Sequence, residues 1–166
     1  MAKKMSARSS ASKSTKHIDS LSANEFRVEL DGEVVDGIFK ISGLAPFKLE
    51  VKQSSALKIL KDPIQIVKMV RRDPNNVVNR WLRESIVSQT DIMRVTRTLE
   101  IVAVDDGEEI RRWLIKGAGI SAVSYSEFNS GLGELVEETL TLQWDSIETV
   151  WPGVADSDHQ LTAANK

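Results

Sequence analysis

Along most of the chain, apolar residues recur at every second position, the period of a strand with one buried side. In Glu25 to Leu30, Phe26, Val28 and Leu30 follow this rule, Asp31-Gly32 comes next, and Val34 and Val35 resume it. Asp-Gly supplies the positive-φ residues of a two-residue turn, so a strand, a turn and a second strand are predicted. The device recurs where the β-branched stretch Arg94 to Val104 meets Asp106-Gly107 and returns through Glu109 to Ile115. Leu135 to Trp144 predicts a further strand, with Leu140, Leu142 and Trp144 on one side and Thr139, Thr141 and Gln143 on the other.

One segment breaks the period of two. Asp73 is placed to cap a helix and Pro74 suits a first helical position. Val77, Val78, Trp81, Leu82 and Ile86 then fall on one side of a helix spanning about 74–88. The stretch Gln53 to Arg72 keeps neither period throughout. Its apolar residues Leu57, Ile59, Leu60, Ile64, Ile66, Val67, Met69 and Val70 are interleaved with Lys58, Lys61, Lys68, Arg71 and Arg72. Pro63 blocks a continuous helix or a central strand through its middle. An extended loop or hairpin over about 53–72 is expected, its exposed apolar residues marking a protein contact. Five or more strands with a single amphipathic helix give a mostly-β domain, either a barrel closed by the helix or a sandwich.

Composition narrows the picture. The 166 residues, 41% hydrophobic and 28% charged, suit one globular domain able to bury its own core. The absence of cysteine removes disulfides, thiolate metal sites and cysteine nucleophiles. The formal charge of −2 is an average over unlike parts. Residues 1–16 hold five basic side chains and no acidic one, while the other 150 carry 17 basic and 24 acidic, a net −7. A flexible basic tail is therefore expected over 1–16, a single domain over 17–152, and a second flexible tail over 153–166. The basic tail reads either as an arm for an anionic surface or as a solvated terminus. No run of 18 uncharged apolar residues occurs and residues 1–16 have no apolar core, so neither a membrane span nor a signal peptide is predicted.

Catalytic parts are missing from the pattern. Of the two histidines, His17 directly follows the expected N-terminal tail and His159 falls in the C-terminal one, as do Asp156 and Asp158. Asp105, Asp106, Glu108 and Glu109 cluster at a hairpin tip, where turn chemistry already accounts for them. Gly117-Ala118-Gly119 and Gly131-Leu132-Gly133 lack the context of a phosphate cradle and read as turns. Of four tryptophans, Trp81 and Trp144 lie on apolar faces, which leaves Trp113 and Trp151 for ligand stacking. No catalytic, cofactor-binding or metal site is predicted, and a non-enzymatic protein is expected.

Taken in order, these elements resemble the tail-tube proteins of contractile phages and of the related extracellular contractile injection systems. The opening FRVELDGEVVDGIFKISGL, Phe26 to Leu44, is similar to that family's start, where two strands run into a Gly-hydrophobic pair, here Gly43-Leu44. Trp81-Leu82 occupies the place of the family's single helix, followed by the hairpin Leu99 to Ile115, a small-residue segment Lys116 to Phe128, and the strand Glu134 to Trp144. The order also fits the haemolysin-coregulated-type tube proteins of type VI secretion.

The resemblance implies a single β-barrel protomer that forms homo-hexameric rings stacked into a hollow inner tube. A sheath protein would surround the tube, baseplate and cap proteins would close its ends, and protein or DNA cargo would pass through the lumen. Leu57, Ile59, Leu60, Ile64, Ile66, Val67 and Met69 are then expected at a subunit interface, and Thr96, Thr98, Glu100, Thr139, Thr141 and Gln143 are lumen candidates. Neither a cofactor nor membrane insertion is implied. Synthesis and assembly in the cytoplasm, as part of a phage tail or tail-like particle, are expected. The alternative from the residues alone is a monomeric β-barrel binding a small ligand or oligonucleotide through exposed aromatics.

Overall fold

A computed structural model describes residues 21–22, 25–51, 57–89 and 94–154. The tail expected over 1–16 lies outside the described residues, as does all but Gly153 and Val154 of the one expected over 153–166. In chain order the elements are β1 (Phe26–Leu30), β2 (Glu33–Val35), β3 (Ile38–Ser42), β4 (Leu49–Val51), β5 (Leu57–Ile59), β6 (Ile64–Met69), α1 (Val77–Val87), β7 (Thr96–Asp105), β8 (Glu108–Tyr125), β9 (Glu137–Gln143) and β10 (Ser146–Val150). Both Asp-Gly pairs turn as expected. Asp31 and Gly32 have φ of 51° and 81°, and Asp106 and Gly107 have 49° and 84°, which lets the strand twist continue through each hairpin.

One antiparallel sheet runs in the order β2-β1-β7-β8-β9-β6-β3. Its axis is β8, 18 residues long. Up to Gly119 this strand pairs with β7; on its other side the second half pairs with β9 and the first half with β10. Since only Trp144-Asp145 separates β9 from β10, the two make one long partner for β8 with a kink at that step. Gly117 lies opposite the kink with φ of 64°. Gly117-Ala118-Gly119, expected as a turn, is thus the bend inside a continuous strand.

The expected closed barrel is not formed, because the sheet is open between its edges β2 and β3. These two strands follow one another in the chain, joined only by Asp36-Gly37, so the ends of the curled sheet meet at a covalent corner. At that corner the chain leaves β1 and pairs with β6, and the seam closes by connectivity without a ladder of hydrogen bonds.

The helix begins three residues later than Pro74. Asn76 is the cap, its side chain accepting from the Asn79 N–H at 2.9 Å, while the Asp73 carboxylate accepts from the Asn75 N–H. Two polar residues compete for the cap, and the one directly before the apolar run takes it. Val78, Trp81 and Leu82 face the sheet, joining Val28, Leu30, Ile64, Ile66, Leu99, Ile101, Ile115, Ala118, Leu140, Leu142 and Trp144 in the core. Ile86, expected on the same side, is exposed.

Candidate assembly surface

The region read as one loop over 53–72 divides at Pro63. Before it, β4 and β5 form a separate two-stranded hairpin with Leu49 opposite Ile59, Glu50 opposite Lys58 and Val51 opposite Leu57. Paired residues share a face, so this register gathers four aliphatic side chains on one side and puts Glu50 and Lys58 on the other. Val51 is 78% exposed, Leu57 and Ile59 66% each, and Phe47, just before the hairpin, 76%. A two-stranded ribbon has little stability alone in water, and an uncovered aliphatic face adds to the deficit.

The base of this hairpin is fixed to the domain. The Leu60 N–H donates to the Lys48 carbonyl, and Lys48 pairs with Asp62 at 2.6 Å. Lys61 donates to the Asp145 carbonyl at 2.5 Å with its ammonium 5.6 Å from the Trp144 ring centroid, and the Trp144 indole N–H donates to the Asp62 carbonyl at 2.8 Å. The hairpin therefore leaves the sheet at the β9–β10 kink as an anchored projection.

After Pro63 the chain becomes β6, a strand between β3 and β9. Ile64, Ile66 and Val67, expected at an interface, are buried within the protomer, the first two as core residues. The reason is their period: Ile64 and Ile66 pair with Leu142 and Leu140, whose side chains face the same core. Leu60 and Met69 are half-buried. Of the seven expected interface residues, Leu57 and Ile59 keep the exposure that a partner requires. Phe47 and Val51 belong to the same surface and were missed, although Leu49, Val51, Leu57 and Ile59 carry the period-two signal in the sequence.

The six polar lumen candidates share one face of the sheet. Thr96 pairs with Gly119 and Gly119 with Gln143, so the row passes from β7 through β8 to β9. Thr139 and Thr141 alternate with the core residues Glu138, Leu140 and Leu142 and point away from them. Glu100 is not a free acid on this face. It pairs with Arg112, which also reaches Glu29 at 3.4 Å and holds Glu109 through two hydrogen bonds of 2.8 and 2.7 Å. Arg27 adds a 2.7 Å bond to Glu29. In the sheet Val102 lies between Arg27 and Arg112 and is fully buried. The hydrogen bond from Arg112 holds the Glu109 carboxyl below its ordinary range, and Glu109, then Glu100, raise the Arg112 guanidinium against the opposing effect of burial.

Other candidate chemistry resolves into structure. Among the described residues no group of three or more His, Asp or Glu is arranged to hold a metal, and no helix is long and apolar enough to cross a membrane. Trp113 packs against the core, and one face of Trp151 is covered by the Arg111 guanidinium 3.6 Å from the ring centroid. A feature absent from the expected site residues is a buried ion pair. Lys68 on β6 and Glu138 on β9 stand opposite one another with Nζ and Oε1 2.5 Å apart, and both side chains are more than nine-tenths buried.

No family model matches the chain, and no curated protein matches it in sequence. In fold it is similar to a chain of the PVC sheath-tube complex, an extracellular contractile injection system in its extended state. The TM-score is 0.60 at 14% identity, over 80% of this chain and 93% of that one. It is also similar to a chain of the anti-feeding prophage cap, the tube-terminating cap, with TM-score 0.64 at 15% identity over 87% and 99% of the two chains. The SPP1 tail tube aligns with TM-score 0.54 at 11% identity over 89% and 88%. The mostly-β chain with one helix thus has the tail-tube fold to which its order of elements pointed.

Proposed function

We propose that the protein is a structural, non-enzymatic subunit of the inner tube of a contractile tail or contractile injection system, forming six-membered rings that stack into a hollow tube. The observation that carries this reading is the amphipathic β4–β5 hairpin, anchored at its base and bare on its aliphatic face, on a tail-tube fold. A free protomer gains nothing by exposing Val51, Leu57 and Ile59 together with Phe47, whereas a neighbouring subunit that covers them removes the cost and stabilises the ribbon. A hairpin of one protomer resting on a different surface of the next is a heterologous contact, the class that closes into rings or propagates into filaments.

In this reading the hydroxyl- and amide-rich face bearing Thr96, Thr98, Thr139, Thr141 and Gln143 lines the bore. Glu100 contributes to it as part of a cluster of two arginines and three glutamates. Such a face is hydrated and weakly acidic and offers little for a protein or DNA cargo to adhere to. A sheath surrounds the tube, with baseplate and cap proteins at its ends. The particle assembles in the cytoplasm as a phage tail or tail-like device. Negative-stain electron microscopy of the purified full chain is the test: rings or hollow tubes are expected, and a strictly monomeric particle at millimolar concentration sinks the proposal.

A further inference from the structure

We propose that the buried Lys68–Glu138 pair is a register lock, the element that selects one pairing of β6 with β9 over its two nearest alternatives. The core face of β6 reads Ile64, Ile66, Lys68 and that of β9 reads Glu138, Leu140, Leu142. The observed register sets Ile64 against Leu142, Ile66 against Leu140 and Lys68 against Glu138. A slip by one residue is excluded by burial, since it turns every core side chain outward. A slip by two keeps all faces correct, and aliphatic rows of Ile against Leu discriminate poorly against it.

The charges do discriminate. Moved two residues one way, Lys68 meets Leu140 and Glu138 meets Val70; moved the other way, Lys68 meets Val136 and Glu138 meets Ile66. In either slip both ions lose their partner and one of them faces a buried aliphatic side chain, Lys68 against Leu140 or Glu138 against Ile66, where an unpaired charge is strongly disfavoured. In the observed register they lie at ion-pair distance, although Nζ and Oε1 are not aligned as a hydrogen bond, so their attraction is Coulombic. Glu138 is also opposite Tyr125 on β8, so the row Lys68–Glu138–Tyr125 crosses three neighbouring strands at one end of the core. Since Ile64 directly follows the anchored hairpin, the same lock sets where that hairpin leaves the sheet, a two-residue slip displacing it by about 7 Å. The lock itself is independent of the tube reading.

The cysteine-free chain allows a direct test. Gln65 lies opposite Thr141 on the non-core face, and each slip places it opposite Thr139 or Gln143, which otherwise are diagonal neighbours roughly 7–8 Å away, at or beyond disulfide reach. Three double-cysteine chains, Gln65→Cys with Thr141→Cys, Thr139→Cys or Gln143→Cys, are oxidised slowly and the disulfide yield is read by mass spectrometry. With Lys68 and Glu138 present, only the pair with Thr141→Cys is expected to link. With Lys68→Met and Glu138→Leu, at least one slipped pair is expected to link tenfold or more above its level in the charged chain. Slipped pairs that stay unlinked in this folded apolar variant overturn the proposal.

Should the apolar variant not fold, charge reversal decides the matter. Lys68→Glu with Glu138→Lys should restore linkage of the native pair that Lys68→Glu alone loses. Equal linkage in the single and the reversed variant overturns the lock.

Discussion

The carboxylate of Asp145 occupies the space that a side chain at Gly117 would need. A Cβ built on Gly117 falls 1.9 Å from Asp145 Oδ2, at a backbone φ of 64°. The bend of β8 and the kink between β9 and β10 therefore depend on one another, the glycine making room for the acid that follows Trp144. Gly117→Ala is expected to destabilise the protomer by about 2–4 kcal/mol, from left-handed backbone strain together with overpacking. Asp145→Gly in the same chain should recover the packing share and leave the strain. Urea denaturation of the two single variants and the double variant measures this coupling, and strict additivity would refute it.

A second prediction concerns the charge cluster on the non-core face of the sheet. Arg112 lowers the Glu109 carboxyl, so this pairing stabilises the fold fully above the ordinary carboxylate value of 4.5. The contribution is lost as pH falls through the lower folded value. In Arg112→Met, Glu29, Glu100 and Glu109 keep their negative charges with only Arg27 nearby. The variant should lose stability at pH 7 and lose much less of it at acid pH, as the Glu109 carboxyl takes up its proton. Urea midpoints at the two pH values decide it, and an equal loss at both would refute the electrostatic account.

The sequence revealed the elements better than the partnerships between them. Both Asp-Gly turns, the strands beside them and the helix face Val78-Trp81-Leu82 follow from local chemistry, and they are where that chemistry puts them. The open seam between β2 and β3 was invisible because it arises from which strand β3 pairs with, a long-range choice. Lys68 misled for a related reason. A lysine in an apolar run normally marks a solvated side, and only the register opposite Glu138 makes a core position of it. Reading 53–72 as one extended loop puts Ile64 and Ile66 at an interface, whereas their pairing with β9 buries them in the protomer. A pair of opposite charges in otherwise apolar alternation, on two strands able to meet, is the signal that was available.

Tyr125 reports on that pair spectroscopically, since it is the one tyrosine of the chain. Its hydroxyl is raised above its ordinary 10.0, chiefly by partial burial and then by the charge of Glu138. Phenolate absorbance should therefore rise with a midpoint above 10 in the folded protein and at about 10 in urea. The sign requires that the stability contributed by the neutral phenol is present below pH 10 and is lost as pH climbs through the raised folded value. Glu138→Gln should lower the midpoint only partly, because the burial remains. A folded-state midpoint at or below the urea value rules the arrangement out.

The division of residues 57–69 at Pro63 gives opposite expectations for substitutions that a single loop would treat alike. Leu57→Asp and Ile59→Asp place a charge on a face that is already solvent-exposed in the protomer. Each should change protomer stability by no more than about 0.5 kcal/mol. In a ring the same carboxylate is buried against a neighbour without a counter-charge, so rings and tubes should fail to form. Ile64→Asp is different. Its side chain is fully buried between β3 and β9, and an unpaired carboxylate there is expected to unfold the domain outright. Thermal melting by circular dichroism separates the two classes, and microscopy of the folded variants reads assembly. Tubes that form normally from the Leu57→Asp/Ile59→Asp chain would remove the hairpin from the interface, whatever the protomer's stability.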